Sequence, residues 1–397
     1  MISVSEASAI IQQHLYSPKK ETVALTDATG RILAETVKAD RDFPPFNRAS
    51  MDGIAIRFDE FQKGNRKFKI EAILAAGEPS VPLKDISNVI EIMTGAVLPP
   101  NADTVIRYED IELRDGLAIV NIDSIEKGQN IHPKAQDAKQ GETLLNPGIK
   151  ITPAEIALMA SVGKSTIDIF AFPKTAIIST GNELVDLDVT PAIHQIRKSN
   201  SYALQSALLS MGCKANLFHL PDEKSILETE LKTILGNHDL IILSGGVSKG
   251  KFDFVPGVLE SISIQKKFHQ VSQKPGKPFW FGTSDHHTVF ALPGNPVSTY
   301  MCFYKYIQPW LFKSMGYQMR SSSALLGKDY SFKPPLTYFL QVKIENESGQ
   351  LMAYPDAGGG SGDFANLKNV DGFLELPAGK SEFKKGEVYS YYPFRQS

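Results

Sequence analysis

Apolar and polar positions change rhythm several times along the chain. At the start, Ala7, Ile10, Ile11 and Leu15 recur at helical spacing. Ser3 and Glu6 precede them as a capping box, so a short amphipathic helix is predicted. Residues 19–41 mix short apolar runs with a turn at Gly30 and read as an extended connector. Asp42-Phe43-Pro44-Pro45-Phe46-Asn47 then forbids helix. Beyond it, runs at 68–74, 89–93, 104–108 and 117–122 are separated by Gly, Pro and Asn turns. That spacing predicts a small all-β unit. Residues 131–150 are polar and rich in Gly and Pro, and a helix is predicted over 154–162, with Thr152 as N-cap and Pro153 at its first position.

From Lys174 the pattern alternates. Strands are predicted at 175–180, 213–219, 240–243, 278–281 and 288–292, and helices at 199–211, 222–235, 255–262 and 296–312. The run Leu240-Ile241-Ile242-Leu243 carries no charge, as in a strand buried on both faces. Alternation of this kind predicts a doubly wound, mostly parallel α/β domain. After about Arg320 the short strands return, at 337–344, 351–354, 372–376 and 387–392, with a four-glycine loop around Ser361. The predicted division is 1–42 with 127–173 as a connecting domain, 43–126 as a β-rich lobe, 174–318 as the α/β domain and 319–397 as a C-terminal β-barrel-like module.

The length of 397 residues agrees with several domains. A formal net charge of -2 supplies no field for nucleic acid or membrane, so any anion site has to be built locally. Cys213 and Cys302 sit in apolar context without a CxxC pattern and read as core thiols of a reducing, cytosolic protein. No apolar run reaches spanning length and the N-terminus lacks the form of a signal peptide. The eight histidines form no HxxxH or HExxH pair, and GxGxxG, Walker and GxSxG patterns are missing. Zinc proteases, dinucleotide dehydrogenases, P-loop ATPases and serine hydrolases are therefore disfavoured.

Four loops carry the candidate chemistry. If the sheet is parallel, those after 175–180, 240–243 and 288–292 share one edge, where ligands of open α/β sheets bind. Ser244, Gly245, Gly246, Ser248 and Gly250 form a loop able to turn amides toward an anion, and a tight turn satisfies the same residues. In Lys274-Pro275-Gly276-Lys277-Pro278 two close ammonium groups want an anion between them, and a solvated charged turn is the alternative. Pro293-Gly294-Asn295-Pro296-Val297-Ser298 opens a helix, whose N-terminus suits an oxyanion as well as it suits ordinary capping. Glu183, Asp222 and Asp253 surround these loops. Beside an oxyanion they repel it unless a divalent cation intervenes, so a phosphorylated substrate with Mg²⁺ is the economical reading. For Asp222 an N-cap role is equally compatible.

Six ordered motifs together resemble one family: Ser50-Met51-Asp52-Gly53, Met93-Thr94-Gly95-Ala96, Ser179-Thr180-Gly181-Asn182-Glu183-Leu184, Ser244-Gly245-Gly246-Val247-Ser248, the KPGKP loop and Pro293-Gly294-Asn295-Pro296-Val297-Ser298. They occur in the order of the molybdopterin molybdenumtransferases, and the chain is similar to the E domain of gephyrin. The resemblance covers nearly the whole sequence. It implies an elongated homodimer of four-subdomain chains, with a cleft between the α/β domain of one chain and the Ser50–Gly53 lobe of the other. It implies insertion of molybdenum from molybdate into adenylylated molybdopterin, with Mg²⁺ present and AMP released, and contact with the adenylyltransferase of the same pathway. By resemblance, Ser244, Gly245, Gly246 and Ser248 hold nucleotide phosphates and Asp253 holds Mg²⁺. Lys274, Lys277, Ser298 and Ser361 form the molybdate pocket beside Asn295, and Asp52, Thr94, Glu183, Asp222 and Asp253 serve activity.

Departures are local. His132, Gln270 and Gln341 stand where the family carries basic residues, and Ala135 and Gln136 replace a glycine and a glutamate. Lys134, Lys249, Lys251 and Lys343 are the nearby candidates for restoring charge. Two other classes fit the same motifs: a dimeric scaffold that kept the fold and lost turnover, and an adenylyltransferase acting one step earlier. The extra β lobe and the C-terminal module speak against the second.

Overall fold

In the computed structural model, which describes residues 1–248, 250 and 253–395, six strands build one sheet of the larger of two units. They are β1 (Thr175–Thr180), β2 (Ala215–Leu220), β3 (Leu240–Ser244), β4 (Gln265–Phe268), β5 (Trp280–Thr283) and β6 (Thr288–Leu292). Their order is β2-β1-β3-β6-β5-β4; the first four run parallel, β5 runs against them, and β4, antiparallel to β5, returns to their direction. The sheet is covered on both faces, which is why β1, β3 and β6 are apolar without alternation. Ile177, Ile242 and Phe290 pack toward the helices Asn200–Leu209 and Pro296–Cys302. Ile178, Ile241 and Val289 pack toward Lys224–Leu235 and Val255–Ser261. The expected doubly wound domain is present.

The first helix, Val4–Gln13, carries the complete capping box of Ser3 and Glu6. It buries Val4, Ala7 and Ile11 against the face that holds Trp310. Leu15 lies past its end and is exposed, so the apolar spacing ran on beyond the helix. The helix predicted over 296–312 is not continuous. It runs as Pro296–Cys302, a π-helical turn Phe303–Ile307, and Gln308–Ser314. Pro309 has no N–H to return to the preceding turn, and the wider π turn absorbs that missing bond.

The C-terminal module is a closed five-stranded barrel. Its strands are β7 (Ser322–Leu326), β8 (Thr337–Glu347), β9 (Gln350–Pro355), β10 (Gly372–Leu376) and β11 (Val388–Pro393). The order β8-β9-β7-β11-β10 closes through a β8–β10 pairing. Leu326, Leu340, Val342, Ala353 and Leu374 are among its interior residues. β7 is invisible to hydropathy because only Ala324 and Leu326 of SSALL are buried. Gln273–Lys274 pairs in parallel with the start of β8, Lys274 opposite Tyr338. This pairing joins the α/β domain to the barrel within one unit.

The smaller unit comprises residues 35–146 and 154–165. Its main sheet has the order Thr104–Arg107, Gly53–Ile56, Val89–Ile92, Lys67–Leu74, Leu117–Val120, Ile111–Arg114. Gly53–Ile56 is wholly buried: Ile54 and Ile56 meet Phe61 and Phe68 on one side, and Ala55 meets Ile90 and Val105 on the other. Among the described residues, no helix is long and apolar enough to cross a membrane.

Candidate functional site

A cleft of about 660 Å³ opens at the carboxyl ends of β1, β3 and β6. Its floor is the serine-glycine loop after β3. Gly245 and Gly246 have φ of 104° and 65°, the left-handed range that side chains avoid. A Cβ on Gly245 would lie 2.6 Å from the Thr180 carbonyl oxygen, so the loop crosses directly over the end of β1. The expectation that the loop's amides all face outward needs a correction. Gly245 N–H donates to Leu292 O at 3.1 Å and prolongs the sheet. Among the described residues, the N–H groups of Gly246, Val247 and Ser248 meet no acceptor. Three successive free amides make a nest for an anion. The nest is held from behind: His269 Nε2–H donates to Val247 O at 2.8 Å. Asn200 Nδ2 donates to Ser244 Oγ at 2.9 Å and to Gly294 O at 2.7 Å, tying two of the loops together.

Glu183, Asp222 and Asp253 line the same cleft. Glu183 folds its carboxylate over Gly181, where a Cβ would come within 2.6 Å of it. Asp253 Oδ2 accepts from Gly250 N–H at 2.5 Å. The cap of the helix Lys224–Leu235 is Glu223, so Asp222 is not an N-cap. Asp222 instead receives the acidity of the cleft. Loss of solvent raises its carboxyl above the ordinary carboxylate range, and Glu183 and Asp253 add to the rise. Among the described residues, no three metal-ligating side chains form a cage. Mg²⁺ typically takes one or two carboxylates and completes its shell with water and phosphate oxygens. These acids beside an amide nest fit an ion of that kind.

A second cavity, about 290 Å³, is lined by Lys274, Lys277, Asn295, Ser298 and Ser361, and shares Pro278, Pro293 and Asn295 with the cleft. The lysine loop and the glycine loop therefore stand on one rim. Among the described residues, neither lysine has a carboxylate partner. The turn is fixed from inside by Gln273, which is fully buried. Its Nε2 donates to Gly276 O at 2.9 Å and its Oε1 accepts from Tyr306 at 2.5 Å. Asn295 Nδ2 donates to Ser361 Oγ at 2.9 Å, and Val297 N–H donates to Ser361 O at 3.2 Å. That amide of the helix start is thus spent on gripping the glycine-rich loop rather than left open to a ligand.

Among the described residues of this unit, the positions where the resemblance implies basic residues are neutral. Gln341 is buried and donates to Ala357 O at 3.2 Å, while Gln270 is half-buried and accepts Ile2 N–H at 3.0 Å through its carbonyl. Lys343 pairs with Glu345 at 3.2 Å. Lys249 and Lys251 lie outside the described residues.

In the smaller unit, Asp52 Oδ1 accepts both the N–H (2.6 Å) and the hydroxyl (2.7 Å) of Thr94. These bonds hold the Asp52 carboxyl below its ordinary value. Gly53 beside it has no substitute, since a Cβ would sit 1.9 Å from Ile106 O. Tyr108 donates its N–H to Asp52 O at 3.1 Å and its hydroxyl to Glu91 at 2.5 Å. His132 lies between Arg48 (3.2 Å to Nδ1) and Asp137 (2.9 Å to Nε2). Arg48 can only donate, so the proton sits on Nε2 and points at Asp137. Lys134 pairs with Asp42 at 3.3 Å.

Sequence reasoning missed Lys198, Asn200, His269 and Gln273. Lys198 lines the cleft and forms an ion pair with Asp186. Of the four, only Asn200 carried a signal, as a polar residue opening the helix after β1.

The sequence matches the MoeA N-terminal region (domain I and II) over residues 2–163, a probable molybdopterin binding domain over 176–313 and the MoeA C-terminal region (domain IV) over 323–394. It is 40% identical to the molybdopterin molybdenumtransferase of Synechocystis over 398 residues, covering 99% of this chain and 100% of that one. It is 31% identical to the enzyme of the same name from Staphylococcus epidermidis over 399 residues, covering 98% and 94%. The crystal structure of the molybdopterin biosynthesis MoeA protein from Pyrococcus horikoshii superposes with a TM-score of 0.85 at 25% identity, covering 99% of this chain and all of that one. On these likenesses, and with four of the six motifs brought to one rim of the α/β domain, the chain belongs to the molybdopterin molybdenumtransferase family.

Proposed function

We propose that this protein inserts molybdenum from molybdate into adenylylated molybdopterin, releases AMP and yields molybdenum cofactor. The observation that carries the reading is the shared rim. An amide nest beside three acids and a pocket with two carboxylate-free lysines meet at Pro293 and Asn295. The nest suits the phosphates of the nucleotide. Asp253 would hold Mg²⁺ against them, and the ion would offset charge between the phosphates and the acids. Lys274, Lys277, Ser298 and Ser361 suit a tetrahedral dianion next door. Oxygens leaving molybdate depart as water and need protons. Asp222 lines the adjoining cleft rather than this pocket, and its raised carboxyl suits it to holding one there. Asp52 and Thr94 belong to the same reaction if a second copy of the chain brings its smaller unit to this rim, so the working form is a homodimer. A handover from the adenylyltransferase that makes the substrate is consistent with a phosphate-facing cleft.

The test is AMP release from adenylylated molybdopterin by purified protein, with molybdate and Mg²⁺ each omitted in turn. Release that depends on both is expected. Nucleotide binding without molybdate-dependent release would instead indicate a scaffold that kept the fold.

A further inference from the structure

The two lysines of the oxyanion pocket have different surroundings. Lys274 Nζ lies 5.6 Å from the ring centroid of Phe332 and 5.9 Å from that of Tyr338. Those rings are stacked on each other at 4.2 Å with an interplanar angle of 10°, and Tyr330 stacks with Tyr338 at 6.0 Å. All three rings belong to the barrel module. Among the described residues, Lys277 has no such ring. The backbone of Lys274 is held by the barrel module as well. It pairs with Tyr338 in the ladder, and the preceding Ser272 accepts Thr337 N–H at 3.1 Å. Gln273 locks the following turn through Gly276.

From these contacts we infer that the stacked rings Phe332 and Tyr338 are positioning residues for the oxyanion site. They hold the Lys274 ammonium against the pocket before the ligand arrives, while Lys277 is free to adjust. The physical basis is the negative face of an aromatic ring, which attracts an ammonium within about 6 Å; in a parallel stack only one ring can turn its face to the ammonium, and the other backs it. An ammonium already confined by rings loses less freedom on gripping an anion. The inference rests on the proposed role of this pocket and adds that the barrel module, and not the lysine loop alone, sets its affinity.

The experiment is a double-mutant cycle read by calorimetric titration with molybdate alone, on the full chain. Wild type, F332L, Y338L, Y338F, K274Q and F332L/K274Q are compared, each checked for an unchanged circular dichroism spectrum. Y338F keeps a ring and is expected to bind like wild type. F332L and Y338L are each expected to weaken binding about two- to fivefold. In the K274Q background the ring change should add nothing. Under turnover, F332L should raise the molybdate KM and leave kcat unchanged, which general damage to the fold would not do. The inference is overturned if F332L and Y338L bind molybdate as tightly as wild type while K274Q does not. It is also overturned if F332L costs the same with Lys274 present or removed. Should K274Q bind as well as wild type, or wild type not bind at all, the reading of the pocket falls along with it.

Discussion

Replacing Gly245 by alanine puts the nest to a direct test. The residue sits at φ 104°, where a side chain costs about 1–3 kcal/mol of backbone strain. Its Cβ would stand 2.6 Å from the Thr180 carbonyl oxygen and 2.8 Å from the Thr180 hydroxyl. Thr180 ends a strand buried throughout, so it cannot retreat cheaply. Forced overpacking of this kind adds roughly 1–3 kcal/mol. The expected destabilisation is therefore about 2–6 kcal/mol, with AMP binding lost because the three free amides are displaced. Gly294→Ala is the control: among the described residues its Cβ meets only the Gly245 Cα, at 3.7 Å, and its backbone needs no left-handed conformation. Its effect on stability should stay within about 1 kcal/mol. Both tryptophans, Trp280 and Trp310, are buried in the α/β domain, so their fluorescence during urea unfolding reports on the relevant core. If Gly245→Ala kept the wild-type midpoint and bound AMP normally, the close crossing of loop and strand would be refuted.

Lys277→Gln should weaken molybdate binding about 10- to 150-fold, since a charge-assisted hydrogen bond contributes roughly 1.5–3 kcal/mol; equilibrium dialysis measures it. Asp222→Asn should stabilise the protein at neutral pH. The carboxyl is raised in the fold, so ionising it costs stability as pH climbs from the ordinary carboxylate range through the raised value, and the asparagine removes that cost. Thermal melts of both proteins should therefore diverge as pH rises and converge in acid, and a gain that grew toward acid would contradict the assignment. Cys213 and Cys302 are buried, and desolvation pushes the first thiol up to about 11. Neither should react with a thiol reagent in the native protein at pH 8, and both should react once it is unfolded.

The fold was legible where burial on two faces suppresses alternation. The runs at 175–180, 240–243 and 288–292 could be read directly because each lies between two helix layers. Elements whose stability comes from elsewhere were hidden. The strand Ser322–Leu326 exists because the barrel closes around it, and its serines give no hydropathic trace. The strand Gly53–Ile56 is short, and its glycine is required by the Ile106 carbonyl rather than by a turn. Leu15 continued a helical spacing that the chain itself abandons.

The site shows the same division at finer scale. Glycines, lysines and acids announce themselves by type, so the members of the rim could be named from the sequence. Their supports could not, because a support is an ordinary residue in an unusual place. Gln273 matters through one amide group turned into a buried turn, and Phe332 through a ring brought from the next module. The correction at Gly245 has the same origin. A glycine-rich loop indicates which amides are able to face a ligand, but the register of β3 against β6 decides which one is consumed by the sheet. That register also explains how the acids and the lysines coexist. The nest begins one residue beyond the last ladder bond, which sets anion-seeking amides in the cleft that Glu183, Asp222 and Asp253 line and that adjoins the pocket of Lys274 and Lys277. A ligand carrying phosphate at one end and accepting an oxyanion at the other is the kind of molecule for which this spacing lowers the energy at both ends.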